Sequence, residues 1–276
     1  MLDRLLLTAC FFSLALYAAD AQVFMRPSDN AAAMAAGGAT VAHTAFSAGI
    51  TNEAQLGRAE QFGVFAGSAI PYGIAGWKTA HLQGFAKLGK SSGIGLDIAH
   101  NGTVAYAEQR FRLQYGRQLS KNFCLGANFG FARAAAPEYG SATAPTFGIS
   151  LLAQALPKLS IGASVQNPLQ AQLADVPLPV VLRIGAGWKP SEVFILLAEM
   201  EKDIDRPVQV KAGLEYQPAA SVLVVRAGVR AGEAARAAFG LGLRFKSGLS
   251  LDVASEWHPT LGLTPAAMVA WRKVSN

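Results

Sequence analysis

The sequence predicts an all-β protein, a transmembrane antiparallel β-barrel of about fourteen strands. The first observation is alternation, because from Gln61 onward apolar side chains alternate with glycine and polar side chains, and successive side chains of a strand point to opposite faces. The second is composition: 51% of the 276 residues are hydrophobic and 15% are charged. After residue 22, however, no stretch approaches the roughly 20 uninterrupted apolar residues of a membrane helix. Alternating runs of about 9–11 residues are typical of membrane barrels.

Residues 1–21 are predicted to be a secretory signal peptide. Arg4 supplies the positive start, and Ala19-Asp20-Ala21 is an A-x-A cleavage site after the apolar stretch. Lipidation at Cys10 and an uncleaved anchor are the alternatives. Both fit less well, because the apolar stretch before Cys10 is short and the whole stretch is too short to span a bilayer. The mature chain would hold one cysteine, Cys124, and no internal disulfide.

Residues 22–59 differ from the remainder of the mature chain. They are rich in Ala and Gly and lack clean alternation. Small residues allow close backbone packing, so this segment could lie inside the barrel mouth and plug the lumen. A flexible tail is the alternative. The predicted organisation is therefore a signal at 1–21, an Ala/Gly-rich segment at 22–59 and a barrel at 60–276.

The connections between the predicted strands support a barrel. Tight turns such as Lys90-Ser91 and Ser120-Lys121 alternate with longer connections such as Ala134–Ala142 and Asn167–Leu178, as in barrels with short periplasmic turns and longer outer loops. The strands are predicted at 61–70, 79–89, 92–100, 105–118, 122–133, 143–155, 158–166, 179–189, 192–201, 207–217, 220–230, 235–246, 248–257 and 264–274.

The same register assigns a face to each side chain. Phe129 and Leu241 are predicted to face lipid, where an Arg near the bilayer midplane would cost roughly 2–4 kcal/mol. The polar residues of the opposite face are predicted to line the lumen; they are Glu108, Arg110, Arg112, Arg183, Lys211, Glu215, Arg226, Arg244 and Asp252.

Two interpretations of this charged interior stay open. A basic lumen could prefer anions. Alternatively, an internal network of Arg with Glu108, Glu215, Asp252 and Glu256 fills the barrel. The second is favoured because fourteen strands enclose little room once long side chains and an N-terminal segment occupy it.

Other function classes find little support. The letters of a phosphate-binding loop occur at 84–91, but an alternating strand follows them where that loop needs a helix. The four histidines lack metal-ligand spacing, and no nucleophile elbow or carboxylate pair stands out. The net charge of +6 is spread over turns and lumen rather than gathered in one patch. We therefore expect no enzyme, no cofactor, no metal and no nucleic-acid partner.

Several stretches resemble a known family. Gly37 to Ala42, Asn52 to Leu56 and Ser160 to Pro168 are similar to segments of the PorV/PorQ-like outer-membrane proteins of Bacteroidota, relatives of the FadL fatty-acid transporter fold. Leu178 to Gly185 and Ala212 to Gly228 are similar to their later hairpins. Family members usually have Asn-Pro-Ala where this chain has Asn52-Glu53-Ala54.

The resemblance implies a function and a location. It implies an outer-membrane barrel of a Gram-negative bacterium that is associated with the type IX secretion system and handles secreted proteins. Outer-membrane lipid, secretion-system proteins and secreted cargo would be its partners, with the two long connections as contact points. The alternative is a FadL-like transporter or passive channel for small hydrophobic or anionic solutes.

Overall fold

The computed structural model describes residues 30–273, so the predicted signal peptide and residues 22–29 lie outside it. Within that range fourteen antiparallel strands close into a barrel in which the first strand pairs with the last, which confirms the predicted fold class. The barrel strands are β1 (Phe62–Ala69), β2 (Lys78–Leu88), β3 (Ser92–Gly102), β4 (Ala107–Ser120), β5 (Phe123–Ala136), β6 (Gly140–Leu156), β7 (Leu159–Gln166), β10 (Val181–Ser191), β11 (Phe194–Asp203), β12 (Gln209–Tyr216), β13 (Leu223–Ala231), β14 (Arg236–Arg244), β15 (Leu249–His258) and β16 (Gly262–Arg272). β8 (Gln172–Leu173) and β9 (Val176–Pro177) form a small separate hairpin.

The two faces of the wall differ in burial as the alternation predicts. In β5 the Phe129 side chain is 52% exposed on the outer face, whereas its neighbour Asn128 is 2% exposed inside. Leu241 in β14 is likewise exposed, and the adjoining glycines face inward. Apolar side chains outside and polar or small side chains inside are the arrangement of a barrel whose outer face contacts lipid.

The barrel has two rims. The turn rim carries both ends of the barrel portion of the chain and the tight hairpins; it comprises residues 58–62, 87–92, 117–123, 154–159, 189–194, 216–223, 244–249 and 271–273. The opposite loop rim comprises residues 70–78, 102–107, 133–143, 166–181, 203–209, 231–236 and 258–263.

The predicted strict alternation of short and long connections is only partly correct. The loop rim has two long connections, at 70–77 and 167–180, but its other connections are about as short as those of the turn rim. The prediction of a loop at Ala134–Ala142 is wrong, because these two residues pair with each other across an extended β5–β6 hairpin. Cross-strand hydrogen bonding overrides the low strand propensity of this Ala-rich sequence.

Helix is sparse in the part of the chain that the structure describes. The helix α1 spans Ala31–Ala35, and 3₁₀ turns span Phe46–Ala48, Glu53–Arg58 and Pro71–Gly73. No helix within residues 30–273 is long and apolar enough to cross a membrane. The division of the chain at residue 59 into an N-terminal segment and a barrel stays a prediction.

The face assignment can be tested with F129R and L241R. Each places a guanidinium on the outer face at the middle of its strand, so each should destabilise the folded barrel in lipid vesicles by about 2–4 kcal/mol. The free energy of unfolding is measured by urea titration in vesicles, with the folded fraction read from the shift in electrophoretic mobility of the folded barrel. V104R, at a fully exposed loop-rim position, is the control and should change stability little. Equal effects at all three positions would contradict the assignment.

Candidate functional site in the barrel lumen

Residues 30–59 lie inside the barrel, and we call them the inner segment. Their side chains and backbone are mostly buried against inward-facing residues of the strands. The α1 helix packs on strands β13 to β16 and β1, chiefly on β14 and β15, and Met34 shares a buried apolar cluster with Phe65 and Met268. The 3₁₀ turn at Glu53–Arg58 packs on the opposite side, against β3, β4, β5 and β6. The inner segment therefore crosses the lumen from wall to wall.

Inward-facing glycines give the inner segment its space. A Cβ added at Gly213 would lie 2.5 Å from the Ala36 carbonyl oxygen, and one added at Gly93 would lie 2.5 Å from that of Leu56. Such distances are shorter than real Cβ contacts, so the backbone of the inner segment occupies the volume of missing side chains. The same holds against inner-segment atoms at Gly116, Gly126, Gly162, Gly228 and Gly240.

Glu199 of β11 fixes one side of the inner segment. Its Oε2 accepts hydrogen bonds from the backbone amides of Thr40 and Val41, each at 2.8 Å. Its carboxylate also accepts from Arg183 Nε at 2.7 Å and from Lys211 Nζ at 3.1 Å. Because a buried carboxylate needs both charge and hydrogen-bond partners, these four donors account for its nearly complete burial.

Asn52 fixes the other side, at the start of the second 3₁₀ turn. Its Oδ1 accepts from the Ala54 amide at 2.9 Å, which caps that turn, and its Nδ2 donates to the carbonyl oxygens of Val41 and Leu151. Glu53, the next residue, accepts from Asn128 Nδ2 at 2.8 Å. One asparagine thus joins two parts of the inner segment to the wall.

Two further charge clusters fill the lumen. Asp97 of β3 accepts from Arg110 Nε at 3.1 Å and from Arg112 Nε at 3.2 Å, so one carboxylate serves two guanidinium groups. On the other side Arg226, 1% exposed, bridges Glu215 and Asp252 with contacts of 2.6 Å. The carboxylate of that Asp also accepts from Arg244 at 2.7 Å.

A cavity of about 260 Å³ lies between the inner segment and the loop rim. Segment 167–180 borders its upper side, and Leu173 and Leu178 of that segment pack against Ala132 and Ala144 inside the mouth. Most of the residues that border the cavity have polar side chains, although apolar atoms contribute about half of its lining surface; the polar residues are Asn30, Thr40, Thr51, Glu53, His81, Gln83, Asp97, Arg110, Arg112, Thr146, Ser164, Gln166, Asn167, Arg183, Glu201, Lys211 and Arg230. A separate cavity of about 100 Å³ lies on the turn-rim side, beside Ala42 and His43.

All nine predicted lumen residues lie on the inner faces of their strands. Arg110, Arg112, Arg183 and Lys211 line the larger cavity, and Glu215, Arg226, Arg244 and Asp252 form the cluster below it. Glu108 lies near the loop rim and accepts from the Tyr106 hydroxyl at 3.1 Å. Partial burial, together with that carboxylate, raises the pKa of Tyr106 to about 12.

Sequence reasoning missed the carboxylates that organise the cavity. Asp97 and Glu199 are the acceptors on which the clusters depend, yet neither was among the predicted residues. Their alternation with Leu96, Ile98, Ala198 and Met200 was the available signal. Among residues 30–273 no group of three or more His, Cys, Asp or Glu side chains is placed to hold a metal ion.

The fold is shared with solved outer-membrane channels. The Pseudomonas putida toluene transporter TodX superposes with a TM-score of 0.69 at 12% identity, covering 91% of this chain and 99% of that one. The Ralstonia pickettii toluene transporter TbuX gives 0.66 at 13% identity over 90% and 98%, and a Pseudomonas aeruginosa FadL homologue gives 0.67 at 12% over 90% and 99%. The chain has the FadL-like barrel fold.

The similarity of this chain to known proteins extends no further than this FadL-like fold. No family model and no curated protein matches the chain. The solved structures support the FadL-like part of the predicted resemblance, and they give no support to a PorV/PorQ-like identity, to type IX secretion or to an origin in Bacteroidota.

The close contact between the inner segment and Gly162 of the wall can be tested with G162A. The added Cβ would overlap the Val41 carbonyl oxygen, so the segment must shift, and we expect a loss of about 1–3 kcal/mol in the free energy of unfolding. G84A is the matched control, because the nearest heavy atom to its Cβ lies at 3.8 Å. Urea unfolding in lipid vesicles compares the two. A G162A barrel as stable as G84A would show that the segment does not depend on this contact.

Glu199 can be tested with E199Q. The amide cannot neutralise Arg183 and Lys211, and its NH₂ group would meet backbone donors, so we expect a loss of about 3–5 kcal/mol in the free energy of unfolding. E233Q removes the carboxylate of an exposed pair with Arg206 and should cost less than about 1 kcal/mol. If both substitutions cost the same small amount, Glu199 does not anchor the inner segment.

Proposed function

We propose that this protein is a FadL-like outer-membrane channel that admits a small polar solute and whose lumen is closed by the inner segment in the present state. The carrying observation is that the inner segment crosses a closed barrel and separates two lumen cavities. Such an arrangement provides a wall, a solute-sized space and a barrier between the two rims.

The lining of the larger cavity favours a polar solute. Guanidinium, carboxylate and amide groups converge on it, and the hydroxyls of Thr146 and Ser164 border it without a hydrogen-bond partner among the described residues. Unsatisfied buried polar atoms favour a ligand or water that can hydrogen-bond. A hydrocarbon would leave these groups desolvated and unpaired, which is costly. TodX and TbuX are described as toluene transporters. The lumen of this chain, in contrast, favours a solute more polar than toluene.

The contacts of the inner segment suit a barrier that can be displaced. It is held by hydrogen bonds to wall residues such as Glu199 and Gln83, and by small side chains packed on glycine, without a covalent link among the described residues. Displacing the segment would therefore require water or solute hydroxyl groups to replace these buried hydrogen bonds, which a hydrated, solute-filled lumen can supply. A shift of the segment within the wall would join the two cavities.

The outer face sets the location. Apolar side chains such as Leu113, Ile184 and Val253 are more than half exposed on the outer surface. Such a surface requires lipid, so we propose that the barrel lies in the outer membrane of a Gram-negative bacterium with lipid as its direct neighbour.

The channel proposal can be tested by tying the inner segment to the wall. Ala54 packs with the buried Cys124 of β5 in one cluster, so A54C places a thiol beside the native one. In vesicles that contain the wild-type protein we expect swelling in L-arabinose faster than in protein-free vesicles. Oxidised A54C should swell at the protein-free rate, and dithiothreitol should restore swelling. A short bis-methanethiosulfonate linker replaces the disulfide if the thiols do not pair directly.

A54C/C124S is the control for this experiment. It keeps the new thiol and removes its partner, so oxidation should leave its swelling unchanged. If the wild type swells no faster than empty vesicles in arabinose, the channel proposal is wrong. If cross-linked A54C swells as fast as wild type, the inner segment is not the barrier.

A further inference from the structure

The turn rim carries a one-sided charge that the lumen does not use. Two carboxylates, Glu60 and Glu192, lie among the residues that define this rim. The same rim has eight exposed cations, which lie in nearly every hairpin of the turn rim and at the end of the last strand: Lys87, Lys90, Arg117, Lys121, Lys158, Lys189, Lys246 and Lys273. We call these eight residues the basic ring.

The loop rim provides the contrast. It holds the cations Lys78, Arg133, Arg206 and Arg236 together with the carboxylates Glu138, Asp175, Asp203, Asp205 and Glu233. Charges of both signs are mixed there, and Arg206 pairs with Glu233. The excess of positive charge therefore belongs to one end of the barrel and does not follow from the basic composition alone.

Most of the basic ring is free to meet an outside partner. Lys189 pairs with Glu192 at 2.7 Å, and Lys158 Nζ donates to the Pro190 carbonyl oxygen at 2.8 Å. Lys90, Lys121 and Lys246 are exposed and have no ion-pair partner among residues 30–273. Like charges held around one rim repel each other, so an anionic surface would stabilise them.

The position of the ring identifies the surface. It follows directly on the apolar outer face, and the exposed aromatic side chains of Trp188, Phe245 and Trp271 lie at the same level. Aromatic side chains of this kind mark the boundary between lipid tails and headgroups. Arg117 lies on the outer face next to Tyr115, where its stem can follow lipid and its guanidinium can reach the headgroups.

We propose that the basic ring binds anionic phospholipid headgroups in the leaflet at the turn rim, which we assign to the periplasmic side because membrane barrels have their short turns there. The ring supplies many single cationic contacts around the circumference, which suits a layer of headgroups on every side. An acidic protein would need the charges gathered on one side.

The proposal can be tested by lipid competition on the whole barrel. Wild-type protein is reconstituted in nanodiscs of phosphatidylcholine and phosphatidylglycerol, and the lipids that stay bound are counted by native mass spectrometry. We expect phosphatidylglycerol to be enriched over the bulk mixture. The triple variant K90Q/K121Q/K246Q should lower that enrichment by about tenfold or more, since each lost cation weakens the attraction to an anionic surface.

The matched control is K78Q/R133Q/R206Q, which removes the same charge from the loop rim and should keep the enrichment. Raising the salt to 1 M on the wild type is a second measurement that needs no variant; it should abolish the enrichment, because the screening length shrinks to about 3 Å. An unenriched wild type, or equal losses in both variants, overturns the proposal. Capture of an acidic periplasmic protein by an unenriched wild type would assign the ring to a protein partner. The outcome of this lipid-binding experiment is independent of the arabinose-swelling experiment, so the two proposals can fail separately.

Discussion

The inner segment can lie in the lumen only because the barrel wall gives it both space and hydrogen-bond partners. A closed barrel of fourteen strands has a fixed circumference, so inward side chains and inner segment compete for one volume. Glycine at positions such as Gly162 and Gly228 has no side chain, so the volume beside it is left for the backbone of the segment. Glu199 and Asn52 then satisfy backbone groups that packing alone would leave unpaired.

Charge inside the barrel follows from the same constraint. Half of the segment's thirty residues are Ala or Gly, so the wall must supply many of its polar partners. The wall's carboxylates, in turn, are buried and need cations. Asp97 shared by two arginines, and Arg226 shared by two carboxylates, show how this is met. Buried pairs of this kind contribute little net stability but make removal of one partner expensive, so they define one arrangement of the lumen.

The barrel was predictable from the sequence because each strand repeats the same period of two, and the inward position of residues such as Lys211 and Arg226 follows from that register. The inner segment was not predictable to the same degree. Its residues have no period, and its location depends on glycines that lie far away in the sequence. The extended hairpin at Ala134–Ala142 escaped prediction because alanine gives no strand signal, and only its cross-strand partners make it a strand. The role of Glu199 was likewise not predictable, because the alternation shows only that its side chain points inward and not that it accepts hydrogen bonds from the Thr40 and Val41 amides.

The order of the chain adds a consequence for assembly. Thr40 is bound by Glu199, 159 positions later, and α1 contacts strands β13 to β16 at the far end of the sequence. Because a chain is synthesised from its N-terminus, the inner segment exists before any of the wall that will enclose it. It can take its final position only after the last strands, which carry many of its partners, have formed and have paired with β1. Contacts of such long range form late and slowly. Barrel closure and seating of the segment should therefore be a single late event, in which a chain that cannot seat residues 30–59 also cannot complete its final seam.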